Sequence, residues 1–199
     1  MADMQTSGAP THGVTGIVLA AGAGSRMGRA KALLHTPDGE PWLSRAVFLL
    51  RNAGCDRVVV VLGADADVAE SLVPAGADVT VVVADRWVEG MSHSLRAGLS
   101  GATGTAALIA LVDMPDLPLS VVRRILDSPI TDDTLRQAMF HGAPGHPVLV
   151  GRRHWEALAL DIEGDRGARR FLAAHGVDEV ECSDLYDGHD IDTPAQLPL

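Results

Sequence analysis

The sequence predicts an α/β protein built on a mainly parallel sheet with helices on both faces. Three observations carry that reading. Short apolar runs alternate with helix-period segments over roughly the first 126 residues, the pattern of repeated strand–helix–strand units. "RVVVVL" (Arg57–Leu62) is a continuous β-branched run, as expected of a strand covered on both sides. The 199 residues, 47% of them apolar, suffice for one full core and contain no linker that would split it.

Each element has its own signal. Gly16–Ala20 reads as a short buried strand. Pro41–Ala53 places Leu43, Val47 and Leu50 at helical spacing, and Gly54 is suited to cap its end. After the strand Arg57–Leu62, Asp65–Val73 is expected as a short helix stopped by Pro74, then Asp78–Val83 as the third strand. Ser92–Leu99 is expected to be helical, with Ser92 as an ordinary N-cap. Thr105–Val112 is the fourth strand and Pro118–Leu126 a helix with proline in its first turn. The alternation then loosens. Asp127–Leu135 reads as a loop, Gln137–Phe140 and Pro147–Val150 as two short strands around "HGAPGH", Arg152–Leu158 and Arg166–Ala174 as helices, and Val177–Cys182 as a late strand. The expected organisation is a disordered tail over residues 1–13 and a single domain over 14–199.

Composition narrows the function. A net charge of −10 argues against a nucleic-acid partner, which would meet a basic face. Few aromatics argue against stacking platforms. The two cysteines, Cys55 and Cys182, match no metal spacing and read as thiols of a reduced, cytoplasmic protein. Neither a signal peptide nor a run of membrane-spanning length is visible, so no membrane role is expected.

Against that acidity, "IVLAAGAGSRMGRAK" (Ile17–Lys31) is unusual: a core strand runs into glycines and then into Arg26, Arg29 and Lys31. A dinucleotide fingerprint fits poorly, because the third glycine, Gly28, comes one residue late and Asp65 would have to serve as the ribose acid. A Walker A loop fails, since Met27 stands where its second glycine belongs. An exposed turn with incidental arginines is the plain alternative. A triphosphate cradle of another design fits best: small residues admit phosphate oxygens to backbone N–H groups, and fixed cations neutralise the rest.

The stretch "LAAGAGSRMGRAK" resembles the signature of the MobA-like nucleotidyltransferases, and most closely the molybdenum cofactor cytidylyltransferase (MocA-type) branch. "EGMSHSLRAGL", "LVDMPDLP", "GHPVLV", "GDRGAR" and "DIDTPAQL" match that branch in order, so the resemblance covers nearly the whole chain. It implies a three-layer α/β/α, Rossmann-like fold of the nucleotide-diphospho-sugar transferase type, and transfer of CMP from CTP to a molybdopterin-type phosphate. The first loop (Leu19, Ala20, Ala21, Gly22, Ala23, Gly24, Ser25, Arg26, Met27, Gly28 and Lys31) would hold the nucleotide, with Gly90, Met91 and Ser94 at the base and Asp113 at the phosphates. Arg26, Lys31 and Asp113 are the implied catalytic residues, and Arg29 reads as a surface residue. Ala21, in L-A-A-G where guanylyl-transferring relatives tend to read L-A-G-G, would narrow the base site toward a pyrimidine. The chain departs from its relatives at Ala84, where they often carry asparagine.

Asp113 ends a central strand, where open α/β sheets bind ligands, and is implied as a ligand for Mg²⁺ or Mn²⁺. The second ligand is expected from "HDIDTP": Asp190 and Asp192 share a face if that stretch is extended, and Asp192 is favoured, with His189 a bystander. Residues 127–175 would contribute the acceptor side through His146 and Arg169, although Gly145 and Pro147 could equally be shaping a turn and the arginines covering a helix face. A maturation chaperone of a molybdenum hydroxylase is the implied protein partner. Two alternatives remain open: a guanylyl or other transferase using a different phosphorylated acceptor, and a non-catalytic nucleotide-binding module or NAD-binding protein.

Overall fold

The computed structural model describes residues 13–164 and 168–197. Nearly all of the expected tail, the start of the expected helix Arg166–Ala174 and the middle of "GDRGAR" lie outside the described residues. The strands are β1 (Val14–Leu19), β2 (Arg57–Leu62), β3 (Val79–Val83), β4 (Ala106–Leu111), β5 (Leu135–Phe140), β6 (Ala143–Gly151) and β7 (Asp178–Glu181). They form one seven-stranded sheet in the order β3-β2-β1-β4-β6-β5-β7. Only β6 runs against the rest, pairing antiparallel with both β4 and β5.

Helices α1 (Trp42–Ala53), α2 (Ala66–Ala69), α3 (Met91–Gly101), α4 (Leu119–Leu126), α5 (Trp155–Asp161) and α6 (Arg169–Ala174) complete the chain. The period-2 alternation of the strands sorts the apolar residues into two cores. Val58, Val60 and Leu62 pack on α1 and α4 through Leu43, Val47, Leu50, Val121 and Ile125. Val59 and Val61 face the other way, toward Leu95 and Leu99 of α3, Leu158 of α5 and Phe171 and Leu172 of α6. This is the expected α/β/α sandwich, and it explains why β2 reads as unbroken valine: both of its faces are covered.

Several local expectations need correcting. Asp65–Val73 is a single α-helical turn followed by a 3-10 turn, because Asp65 adopts the left-handed conformation (φ 53°) and Pro74 follows closely. Gly90, not Ser92, is the N-cap of α3; Ser92 is buried, and its N–H donates to the Gly164 carbonyl at 3.0 Å. "HGAPGH" is not a loop between two short strands: β6 starts at Ala143, leaving only His141 and Gly142 at the turn. Arg152–His154 is a 3-10 turn leading into α5.

The sheet order positions the site. From β1 the chain winds outward through β2 and β3, then returns to add β4 on the other side of β1, in parallel register with Leu19 opposite Leu111. The loops after β1 and β4 therefore diverge and open a crevice at the carboxyl ends of the central strands.

Candidate active site

That crevice is a cavity of about 430 Å³. Its lining takes Leu19 to Arg26 from β1 and the following loop, Lys31 beyond it, Gly90, Met91 and Ser94 from the start of α3, Leu111 to Asp113 from β4, and Asp192 from the C-terminal segment. Most of the residues expected at a nucleotide thus share one wall. Two do not: Met27 is buried in the core beneath the loop, and Gly28 lies off the cavity lining. Asp65, needed by a dinucleotide reading, is also absent from the lining.

The loop after β1 turns at Gly24, whose carbonyl accepts from the N–H groups of Met27 (2.8 Å) and Gly28 (2.9 Å). Gly24 has φ +62°, and a Cβ there would collide with the Arg29 carbonyl, so the tight turn requires glycine. The turn sends Arg26 and Lys31 back across the cavity toward the carboxylates. Lys31 Nζ lies 2.7 Å from Asp113 Oδ2 and 2.5 Å from Asp192 Oδ1, and Arg26 lies 2.7 Å from Asp192 Oδ2. Three segments distant in sequence are thereby tied into one charged network.

Burial sets the state of each group. Desolvation raises the Asp113 pKa, reinforced by the charges of Asp190 and Asp192 and opposed by Lys31. Asp192 is held below the ordinary carboxylate range by its hydrogen bond to Lys31, which with the charges of Lys31 and Arg26 outweighs the opposing desolvation. Burial works against the Lys31 charge, but hydrogen bonds to both carboxylates and their charges outweigh it, and its pKa is raised.

Asp113, Asp190 and Asp192 each offer an oxygen within 4.8 Å of the others. Asp113 Oδ1 is buried without a hydrogen-bond partner. A buried, unpaired carboxylate oxygen is costly by itself, and oxygen-only donors on two or three carboxylates are the ligand type a hard divalent cation takes. The residues present fit such an ion. His189 stays apart from the cluster, its carbonyl accepting from the Tyr186 hydroxyl.

A second cavity of about 200 Å³ adjoins the first, sharing Leu19 and Met91. His146 and Arg169, expected on the acceptor side, line it together with Gln137 and an apolar set including Leu95, Ile109 and Val148. Burial pulls the His146 imidazole down to about 4, with Asp190 opposing, so the ring is neutral near pH 7. Arg169 is exposed. Gln137 is buried and fixed by donating from Nε2 to the Gly145 carbonyl at 3.2 Å.

Sequence reasoning named neither Gln137 nor four residues of the first cavity, Leu111 and Val112 inside a matched segment and Trp87 and Val88 outside any. Trp87 and Val88 directly precede the recognised segment at Glu89, in a 3-10 turn that carries no motif of its own. Gln137 alternates within a buried strand and looks like any polar interruption.

Comparison with known proteins gives the chain a family match. The MobA-like NTP transferase domain matches residues 16–180. Nicotine blue oxidoreductase from Paenarthrobacter nicotinovorans is 36% identical over 197 residues, covering 92% of this chain and 94% of that protein. The molybdenum cofactor cytidylyltransferase of Escherichia coli K12 is 26% identical over 183 residues, covering 89% and 90%. Among solved structures, Rv0371c from Mycobacterium tuberculosis H37Rv superposes with a TM-score of 0.74 at 31% identity, covering 91% and 93%, and a further structure of that protein is described as a complex with manganese (TM-score 0.67, 28% identity, covering 85% and 88%). A nucleotidyl transferase from Methanothermobacter thermautotrophicus reaches a TM-score of 0.78 at 25% identity, covering 92% and 93%.

Proposed function

The chain belongs to the MobA-like NTP transferase family, and from that premise we propose that it moves CMP from CTP onto the terminal phosphate of a molybdopterin-type acceptor, releasing pyrophosphate. The observation that carries this reading is the meeting of Arg26 and Lys31 with Asp113 and Asp192 on the wall of one cavity, with an Asp190 oxygen within 4.8 Å of both carboxylates. A cavity built only to bind an uncharged ligand has no use for such a network.

In the proposed reaction an oxygen of the acceptor phosphate attacks the α-phosphorus of CTP. The bond from that phosphorus to the bridging oxygen of the β-phosphate breaks, and pyrophosphate leaves with the electron pair. No covalent intermediate on the protein is needed, so rate comes from positioning and charge neutralisation. Lys31 uses two of its three N–H donors on Asp113 and Asp192, which leaves one for a phosphate oxygen. Arg26 is 72% exposed at the cavity mouth, suited to the charge that develops on the leaving group. Backbone N–H groups from Ala21 to Ser25 would cradle the triphosphate. Asp113 and Asp192, with Asp190 beside them, would hold Mg²⁺ or Mn²⁺, which when bound supplies Lewis-acid neutralisation of phosphate oxygens. The adjoining cavity with His146 and Arg169 would seat the acceptor, making residues 127–175 the acceptor part of a single domain spanning 14–199.

The choice of CTP over GTP rests on Ala21, one of the residues lining the cavity. Action in the cytoplasm, with product passed to a maturation chaperone of a molybdenum hydroxylase, follows from the same reading; no helix among the described residues is long and apolar enough to cross a membrane. A second reading, redox chemistry with a nicotinamide dinucleotide, draws its support from the relative named nicotine blue oxidoreductase.

Thermal shift separates them. CTP, GTP, ATP, UTP and NADH are each added with and without Mg²⁺ to wild type and Asp113→Asn. A ligand at 100 times its dissociation constant adds about 2.7 kcal/mol. The proposal expects a Mg²⁺-dependent shift with CTP that Asp113→Asn loses. A shift with GTP alone moves the protein to guanylyl transfer, and a metal-independent shift with NADH alone supports the redox reading.

A further inference from the structure

We infer that Trp87 is the flat wall against which this site seats the aromatic ring of its nucleotide. The inference rests on the reading that the larger cavity takes a nucleotide, and it adds a residue that the family signature does not supply.

The cavity lining is divided by charge. Its charged side chains, Arg26, Lys31, Asp113 and Asp192, come from the loop after β1, the end of β4 and the C-terminal segment. The turn after β3 and the first residue of α3 contribute Trp87, Val88 and Met91, with no charged side chain among the lining residues there. A nucleoside triphosphate is divided the same way, with an anionic tail and an uncharged planar head. Phosphates on the cations therefore direct the ring toward Trp87.

The indole is a built wall. A Cβ on Gly63 would come within 2.6 Å of Trp87 Cγ and 2.6 Å of the Ala21 carbonyl oxygen, so the ring is seated directly on the backbone at the end of β2, beside the L-A-A-G stretch. The turn that carries it is clamped at both ends. The Trp87 N–H donates to the Ala84 carbonyl at 3.0 Å, and the Gly90 N–H donates to the Trp87 carbonyl at 3.1 Å. Arg86 donates twice to Glu89, at 2.6 and 2.5 Å, and Glu89 lies 3.5 Å from His93 on α3. A wall already ordered costs little to use on binding. The other two tryptophans are committed elsewhere: Trp42 is buried in the core, and Trp155 donates to the Val150 carbonyl at 2.9 Å. The low aromatic content of the chain is no obstacle, since one indole is enough for one ring.

The test is calorimetric titration of wild type, Trp87→Phe, Trp87→Leu and Trp87→Ala with CTP and, separately, with tripolyphosphate, both with Mg²⁺. Loss of an aromatic stacking partner weakens binding of a base by roughly 5- to 150-fold. CTP should therefore bind Trp87→Leu and Trp87→Ala more weakly by a factor in that range, and Trp87→Phe within a few-fold of wild type. Tripolyphosphate, which has no ring, should bind all four proteins alike. Trp87→Leu keeps an apolar side chain over Gly63 and serves as the ring-free variant if Trp87→Ala fails to fold. CTP affinity unchanged in Trp87→Leu overturns the inference while leaving nucleotidyl transfer standing. Equal losses for CTP and tripolyphosphate also overturn it, because the turn would then act on the whole site. A wild type that binds none of CTP, tripolyphosphate and NADH overturns both readings. If NADH binds instead and shows the same dependence on Trp87, the inference stands and the transferase reading falls.

Discussion

Lys31→Met removes the cation that links the two metal-competent carboxylates while keeping most of the side-chain volume. The Lys31 side chain is 15% exposed and Asp113 17%, so the pair is largely removed from water. Removing one partner of a buried pair costs about 3–5 kcal/mol. The cost here is smaller, because Asp192 keeps Arg26 and contacts solvent, and about 2–3 kcal/mol is expected. For a domain of this size that is a fall in Tm of roughly 4–12 °C. The pH dependence is the sharper signature. Asp113 is already raised above its ordinary value by burial, and without Lys31 it rises further. A carboxyl whose folded pKa exceeds its unfolded value destabilises the fold when ionised, so the deficit is full above that raised pKa and shrinks as pH falls through it. Urea unfolding of both proteins between pH 4 and 8 measures this. The gap should be widest at pH 8 and narrow toward pH 4. Divalent metal should narrow it as well, since the cation takes over neutralisation of the carboxylates. A Lys31→Met protein as stable as wild type at pH 8, or a gap independent of pH, would refute the claim that Lys31 holds a buried carboxylate in its charged state.

Three further outcomes follow from named contacts. His146 is pulled down to about 4 by burial, so protonation below its ordinary value of about 6.5 costs up to about 3 kcal/mol of stability as pH falls from 6.5 to 4; urea unfolding of His146→Gln should show a flatter acid limb than wild type. Arg26→Ala should change stability by less than about 1 kcal/mol, given its 72% exposure, yet weaken binding of nucleoside triphosphate in calorimetry by roughly tenfold or more; equal small effects on both would place Arg26 outside the site. Gly24→Ala should cost about 1–3 kcal/mol through its positive φ and the Arg29 carbonyl, and should impair triphosphate binding together with Tm, both read by thermal shift.

The architecture was legible wherever one periodicity dominated. β2 matches its expected bounds residue for residue, because a strand buried on both faces leaves valines in unbroken succession. The helix Pro41–Ala53 was equally plain, its apolar spacing ending on Gly54 in the left-handed conformation (φ 104°). The second half was harder to read. β6 contains Pro144, Gly145 and Pro147, residues that ordinarily punctuate a chain, and only its pairing between β4 and β5 makes it one continuous strand. Ser92 looked like a cap because of its residue type, but tertiary packing buried it and gave the cap position to Gly90.

The site followed the same division. Alternation along an extended segment relates Asp190 to Asp192, but only the family resemblance linked that segment to Asp113. No local rule places Lys31 between two of those carboxylates, because the contacts span 82 and 161 residues of sequence. Trp87 was invisible for a related reason: its place in the cavity comes from packing over Gly63 at the end of β2, which no local pattern shows.

The most direct test of nucleotidyl transfer is pyrophosphate release from CTP in the presence of Mg²⁺ and the phosphorylated pterin, with wild type and Asp113→Asn compared under the same conditions. The account predicts pyrophosphate in step with acceptor consumed by wild type, and a loss of several orders of magnitude in Asp113→Asn. No pyrophosphate from wild type with any nucleoside triphosphate, alongside oxidation of NADH, would contradict it.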